Sequence, residues 1–103
     1  MGIRIQHAVE IHLAGRLEEA EQLYRSILKI YPKNLTVINN LGLILHHHTK
    51  FDQAVACFGK AIKLKPDYYL AHNNLGNTMK DLGKFDEAEA CFRKAIELKP
   101  DCV

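Results

Sequence analysis

Residues Lys50–Asp67 read KFDQAVACFGKAIKLKPD, and residues Lys84–Asp101 read KFDEAEACFRKAIELKPD. The second copy follows the first at an interval of 34 positions. The tetrapeptide NNLG returns at the same interval, at Asn39–Gly42 and Asn73–Gly76. Roughly half of the residues in 35–68 recur at that offset in 69–102, and Pro32, Pro66 and Pro100 mark the same period. A fixed spacing of this length signals a repeat architecture. The chain divides into three units, 1–34, 35–68 and 69–102, read as a single domain with no linker and no low-complexity tract.

Within each unit the apolar spacing is helical. In the third, Leu70, Leu75, Met79 and Leu82 mark one helix. Ala88, Cys91, Phe92, Ala95, Ile96 and Leu98 mark another. Gly83 between them suits a helix C-terminus that turns through positive φ. Asp86 with Glu89 three residues on has the spacing of a capping box, and Pro100 forbids continuation. The second unit repeats the pattern with Leu41, Leu45, Ala54, Phe58, Ala61 and Ile62, and the first with Ile11, Gly15, Ala20, Leu23, Tyr24 and Ile27. The expected fold is all-α: three helical hairpins with helices near 2–14, 18–30, 35–48, 52–64, 69–82 and 86–98. A helical glycine is unfavourable by about 1 kcal/mol relative to alanine. Gly42 and Gly76 are therefore expected where paired helices cross, with Ala20, Ala54 and Ala88 as the small residues opposite.

Bulk properties exclude several classes. The chain has 103 residues and a net charge of +2, with its basic residues scattered, so it carries no electrostatic footprint for nucleic acid. No apolar run is long enough to span a membrane, and MGIRIQHAVE has neither a signal core nor a myristoylation pattern. A cytoplasmic setting is expected. Cys57 and Cys91 occupy equivalent places and are expected as small buried apolar residues rather than a disulfide, because packed helices lie ~8–10 Å apart. Cys102 is expected as an exposed thiol, and the NLT sequon at Asn34–Thr36 as meaningless.

The motif residues His72, Leu75, Gly76, Met79, Ala88, Phe92 and Pro100, with Ile38, Leu41, Gly42, Leu45, Ala54, Phe58 and Pro66 before them, resemble the tetratricopeptide-repeat (TPR) pattern. The first unit follows more loosely with Arg4, His7, Ala8, Ile11, Ala20, Tyr24 and Pro32. The resemblance covers essentially the whole chain and implies an α-solenoid, a right-handed superhelix of three hairpins. HLAGRLEEAEQLYRSIL in particular resembles bacterial TPR arrays that precede glycosyltransferase or sulfotransferase domains; no such domain is present in these residues. Three departures stand out. Arg4 and His7 are polar, as suits a terminal repeat. Thr49 replaces the turn glycine, so the second hairpin is expected to turn less cleanly. The last hairpin is expected to expose apolar side chains, because TPR arrays usually end in an extra solvating helix. This reads as a chain cut from a longer one, or as a face covered by another copy.

The resemblance also places an inner wall on the first helix of each repeat. Its residues are Ile5, Gln6, Val9, His12 and Leu13; Thr36, Asn39, Asn40, Leu43, His46 and His47; and Leu70, Asn73, Asn74, Asn77, Lys80 and Asp81. Gln6, Asn40 and Asn74 are equivalent, giving a side-chain amide in every repeat. An amide both donates and accepts, so such a column can satisfy the backbone of an extended peptide. It resembles the asparagine ladder of O-linked N-acetylglucosamine transferase. The competing reading is that these amides bond between neighbouring helices. A second TPR subclass clamps acidic tails with Lys, Asn and Arg. Its positions here are Ile5, Val9, Asn40, Leu70 and Asn74, none of them cationic, so a neutral peptide or an amphipathic helix is expected instead.

Other chemistry finds little support. His46–His48 are consecutive and point about 100° apart on a helix, so they cannot converge on one ion. His12 and His46 are equivalent in adjacent repeats, but lack a neighbouring carboxylate or Cys. No metal and no cofactor are expected; the histidines read as a helix end, and His72 as a packed residue. Ser26, the only serine, has no implied His–Asp partner, and no phosphate-binding loop occurs. The expected function is a protein–protein interaction scaffold that is not an enzyme. It has a protein or peptide in its groove. The alternatives are a homo-oligomer through uncapped ends, or the recognition arm of a larger transferase.

Overall fold

The computed structural model describes residues 5–99. It contains six helices in chain order: α1 Ile5–Leu13, α2 Leu17–Ile30, α3 Leu35–His47, α4 Phe51–Leu64, α5 Tyr69–Asp81 and α6 Phe85–Leu98. Among the described residues there is no strand. The expectations that concern Arg4, Pro100, Asp101, Cys102 and the start of the first helix at residue 2 lie outside the described residues.

All three hairpins turn by one device. In the second, the backbone N–H of Thr49 donates to His46 O (2.9 Å) and that of Lys50 to Leu45 O (2.8 Å). Gly83 and Lys84 bond to Lys80 O and Met79 O in the same way, as do Gly15 and Arg16 to His12 O and Ile11 O. This paired bonding is a Schellman motif and needs a left-handed residue at its centre. Gly15 (φ +84°) and Gly83 (φ +81°) take that conformation freely, and Thr49 takes it at φ +60° despite its β-branch. The substitution therefore keeps the bonding of the second turn and places its effect in local strain at Thr49.

The same turns fix where α2, α4 and α6 begin. The carbonyl of Lys84 accepts the first helical bond from Ala88 N (2.9 Å), which makes Lys84 the N-cap with no side-chain bond. Asp86 thus lies inside the first turn, where its charge complements the helix dipole, and Glu89 pairs with Arg93 (2.9 Å). The capping box expected of Asp86 and Glu89 does not form. A side-chain cap does occur on α3, where Asn34 Oδ1 accepts from Val37 N (3.1 Å). The asparagine dismissed as part of a meaningless sequon is a helix cap.

Each hairpin closes around an aromatic residue of its second helix. A Cβ on Gly42 would stand 2.6 Å from the Phe58 ring, and one on Gly76 2.7 Å from the Phe92 ring. The glycines lie at the helix crossings, as the sequence leads one to expect. Tyr24 and Phe58 are fully buried, together with Ile27, Ile44, Leu45 and the small residues Ala20 and Ala54. Phe92 is only half-buried, and Phe85 and Ile96 are 66% and 68% exposed. The outward apolar face expected of the last hairpin is present. Cys57 and Cys91 are free thiols and half-buried rather than buried. Burial raises the pKa of both.

Successive helices pack in chain order, and α3 also packs against α5; among the described residues no comparable contact joins α1 to α3, α2 to α4 or α4 to α6. Between the second and third hairpins the first helices are therefore closer together than the second, which puts α3 and α5 on the inside of the curve there. No helix among the described residues is long and apolar enough to cross a membrane.

Candidate functional site

The inner wall expected from the sequence is carried by α1, α3 and α5, and the repeat period sets equivalent side chains there in columns. Val9, Leu43 and Asn77 form one column, all half-buried. Gln6, Asn40 and Asn74 form the next: Gln6 is exposed, and the two asparagines are half-buried. Asn40 Nδ2 donates to the Tyr24 hydroxyl (3.3 Å), and Asn74 Nδ2 donates to Asn39 Oδ1 (3.0 Å). The amino groups of both ladder residues therefore tie neighbouring hairpins together. Among the described residues no hydrogen bond reaches the Oδ1 of either. That leaves the Oδ1 atoms of Asn40 and Asn74 as acceptors with no partner among the described residues.

Two polar junctions back this wall. At the first, the Tyr24 hydroxyl receives Asn40 and lies 3.1 Å from His12 Nδ1. The rings of His12 and Tyr24 meet edge to face, with centroids 5.7 Å apart. Burial lowers the pKa of His12, so the neutral ring with Nδ1 accepting fits the hydroxyl proton. Burial raises the pKa of Tyr24, with the Asn40 bond opposing it.

The second junction centres on His46. Its Nε2 meets Asp81 Oδ2 at 2.6 Å, so Nε2 carries the proton, since a carboxylate only accepts. Its Nδ1 lies 3.4 Å from Thr78 Oγ1, and Thr78 donates to Asn74 O (3.0 Å). Phe51 meets the imidazole edge to face at 5.4 Å. Leu43, His46, His47 and Asp81 line a shallow depression with Thr49 and Phe51 where three helices converge.

Of the remaining wall positions, Asn39 is buried and accepts from Asn74, while Leu70, Asn73 and Lys80 are exposed. His72 is half-buried and donates from Nε2 to Pro66 O (2.8 Å). Sequence reasoning missed Tyr24 as a hub and Thr78 as a link. The signals were faint: a hydroxyl added where Phe58 and Phe92 stand, and a threonine where the second repeat has the buried Ile44. His12 and His46 are turned to different partners. Among the described residues no three His, Cys, Asp or Glu side chains form a group that could hold a metal.

Family models match in two overlapping windows, a TPR repeat at residues 50–83 and a tetratricopeptide repeat at 69–102, which together span more than half of the chain. The chain belongs to the tetratricopeptide-repeat family. A mutant of MamA superposes with a TM-score of 0.83 and 26% identity, covering 89% of this chain and 67% of that one. MamA AMB-1 gives 0.82 and 26%, covering 89% and 54%. The first TPR of Spaghetti bound to an HSP90 peptide gives 0.88 with 23% identity over 93% of this chain and 76% of that one, a likeness of fold alone. This tetratricopeptide chain thus spans about half to two thirds of the length of the MamA chains. No curated protein matches it in sequence. The fold is that of a protein-interaction scaffold.

Proposed function

We propose that the inner wall binds a neutral peptide or an amphipathic helix, as one three-repeat domain in the cytoplasm that contributes no chemistry of its own. The observation that supports this reading is the combination of half-buried apolar side chains, Val9 and Leu43, with the Oδ1 acceptors of Asn40 and Asn74, whose amino groups alone are engaged. Apolar anchors supply affinity, and the acceptors meet the backbone N–H groups of an extended segment. The acidic peptide held by the Spaghetti domain is a poor guide, because the five clamp positions here contain no cation.

Alanine at Asn40 or Asn74 would also remove a bond between hairpins, so the clean probes are Gln6, which is exposed, and Asn77. Peptides selected from a random library should be uncharged with apolar anchors, and Gln6→Ala with Asn77→Ala should weaken them several-fold without changing helicity. Nuclear magnetic resonance shifts mapping to α2 and α4 instead of α1, α3 and α5 would overturn the assignment.

A further inference from the structure

The charges are scattered along the chain, but the fold sorts them onto two edges. The hairpin turns share one edge: His46 meets Asp81 at 2.6 Å, and His48 Nδ1 lies 3.8 Å from Glu21. The turns between hairpins share the opposite edge, where Leu28, Leu35, Ile62 and Tyr68 pack round one cluster. The end of α6 joins them there, with Ile96 and Lys99 beside Tyr69 and Leu70. Residues 10–21, 44–55 and 78–89, at the hairpin turns, hold nine carboxylates against four Lys or Arg. Residues 25–36, 59–70 and 93–99, at the other edge, hold nine Lys or Arg against two carboxylates. A helix of 14 residues such as α4 spans about 20 Å. That exceeds the screening length of about 10 Å at 0.1 M salt, so each edge presents its own charge.

Helix dipoles favour Glu18, Glu19, Asp52, Asp86 and Glu87 in first turns, and Lys29 and Lys63 in last ones. They do not account for Lys33 or Lys60, which lie outside any last turn. Every ion pair among the described residues uses a carboxylate of the acidic edge, and none uses a lysine. Lys29, Lys33, Lys60, Lys63 and Lys65 are exposed, with exposed Ile30, Tyr31 and Leu64 among them. The acidic edge likewise exposes Leu13 and Phe85.

We propose that the basic edge binds the acidic edge of a second copy of this chain, beside the stack and not through its ends. The two edges are opposite in charge, and the same repeat period spaces both rows, so one register matches them hairpin by hairpin. Each edge also carries apolar side chains that the contact covers. An anionic membrane would engage the lysines and leave the acidic edge unused. Apolar burial supplies the affinity, and the charges set register and salt dependence. Because two different edges meet, each added copy leaves one of each free, and the assembly grows instead of closing as a dimer.

Sedimentation of the intact protein at millimolar concentration tests this. In low salt the average mass should rise with concentration without levelling at a dimer, and high salt should restore the monomer. Lys33→Glu with Lys63→Glu should weaken association at least tenfold, as should Glu18→Lys with Glu87→Lys. The two variants mixed should associate again, because each supplies the edge the other has lost. Tyr31→Ser, which changes no charge, should weaken association several-fold and leave the melting curve unchanged. A monomer at millimolar protein in low salt would overturn the proposal, as would association indifferent to salt or to either charge reversal. So would a monomer that phosphatidylserine vesicles capture, since the occupant would then be a membrane.

Discussion

Two of the helical glycines, Gly42 and Gly59, do opposite things. Gly42 faces the Phe58 ring, and a Cβ there would stand 2.6 Å from it. Gly59 is exposed, with nothing within 4 Å of the same added atom. Because Phe58 is locked in the core, Gly42→Ala should lower stability by about 1–3 kcal/mol through overpacking. Gly59→Ala should raise it by about 1 kcal/mol through helix propensity alone. Urea denaturation of the two variants measures both; equal shifts would show that the crossing is not tight. The residue type says nothing of this difference. The period does, because Gly42 recurs as Gly76 while Gly59 gives way to Arg93.

At the scale of elements, the turn decides more than the helix sequences do. The left-handed residue at the centre of each Schellman motif sets both the end of one helix and the start of the next. A β-branched side chain in that conformation is unfavourable by roughly 1–2 kcal/mol. Thr49→Gly should therefore stabilise the protein by about 1 kcal/mol, read as a higher melting temperature. Gly15→Thr should lose a comparable amount. The hairpins themselves were legible from apolar spacing and the proline period. The missing cap at Asp86 was not, because cap motifs are local, whereas the bond from Lys84 back to Met79 had already placed the helix start.

For the whole molecule, stability follows from stacking between neighbours, since each hairpin has too little apolar surface to bury alone. The middle hairpin is covered on both sides and holds Phe58 fully buried, whereas Phe92 in the last hairpin is half-exposed. Amide exchange should be slowest along α3 and α4 and fastest in α6, with a protection gap of at least tenfold between them. Uniform protection from α1 to α6 would mean that the stack unfolds as one unit.

The sequence by itself determined the period, the helix count, the hairpin pairing and the glycine crossings, because these depend on which side chains recur and on short-range helix geometry. The tertiary structure decided what the inner-wall amides do. Asn40 and Asn74 were visible as a column, but only the approach of α3 to α2 and of α5 to α3 committed their amino groups to Tyr24 and Asn39. Hydrogen-bond partners between repeats lie 16 to 35 positions apart along the chain, and which atom reaches which is set by the angle at which hairpins stack. That angle is a sum over many small packing contacts, and no short stretch of sequence encodes it.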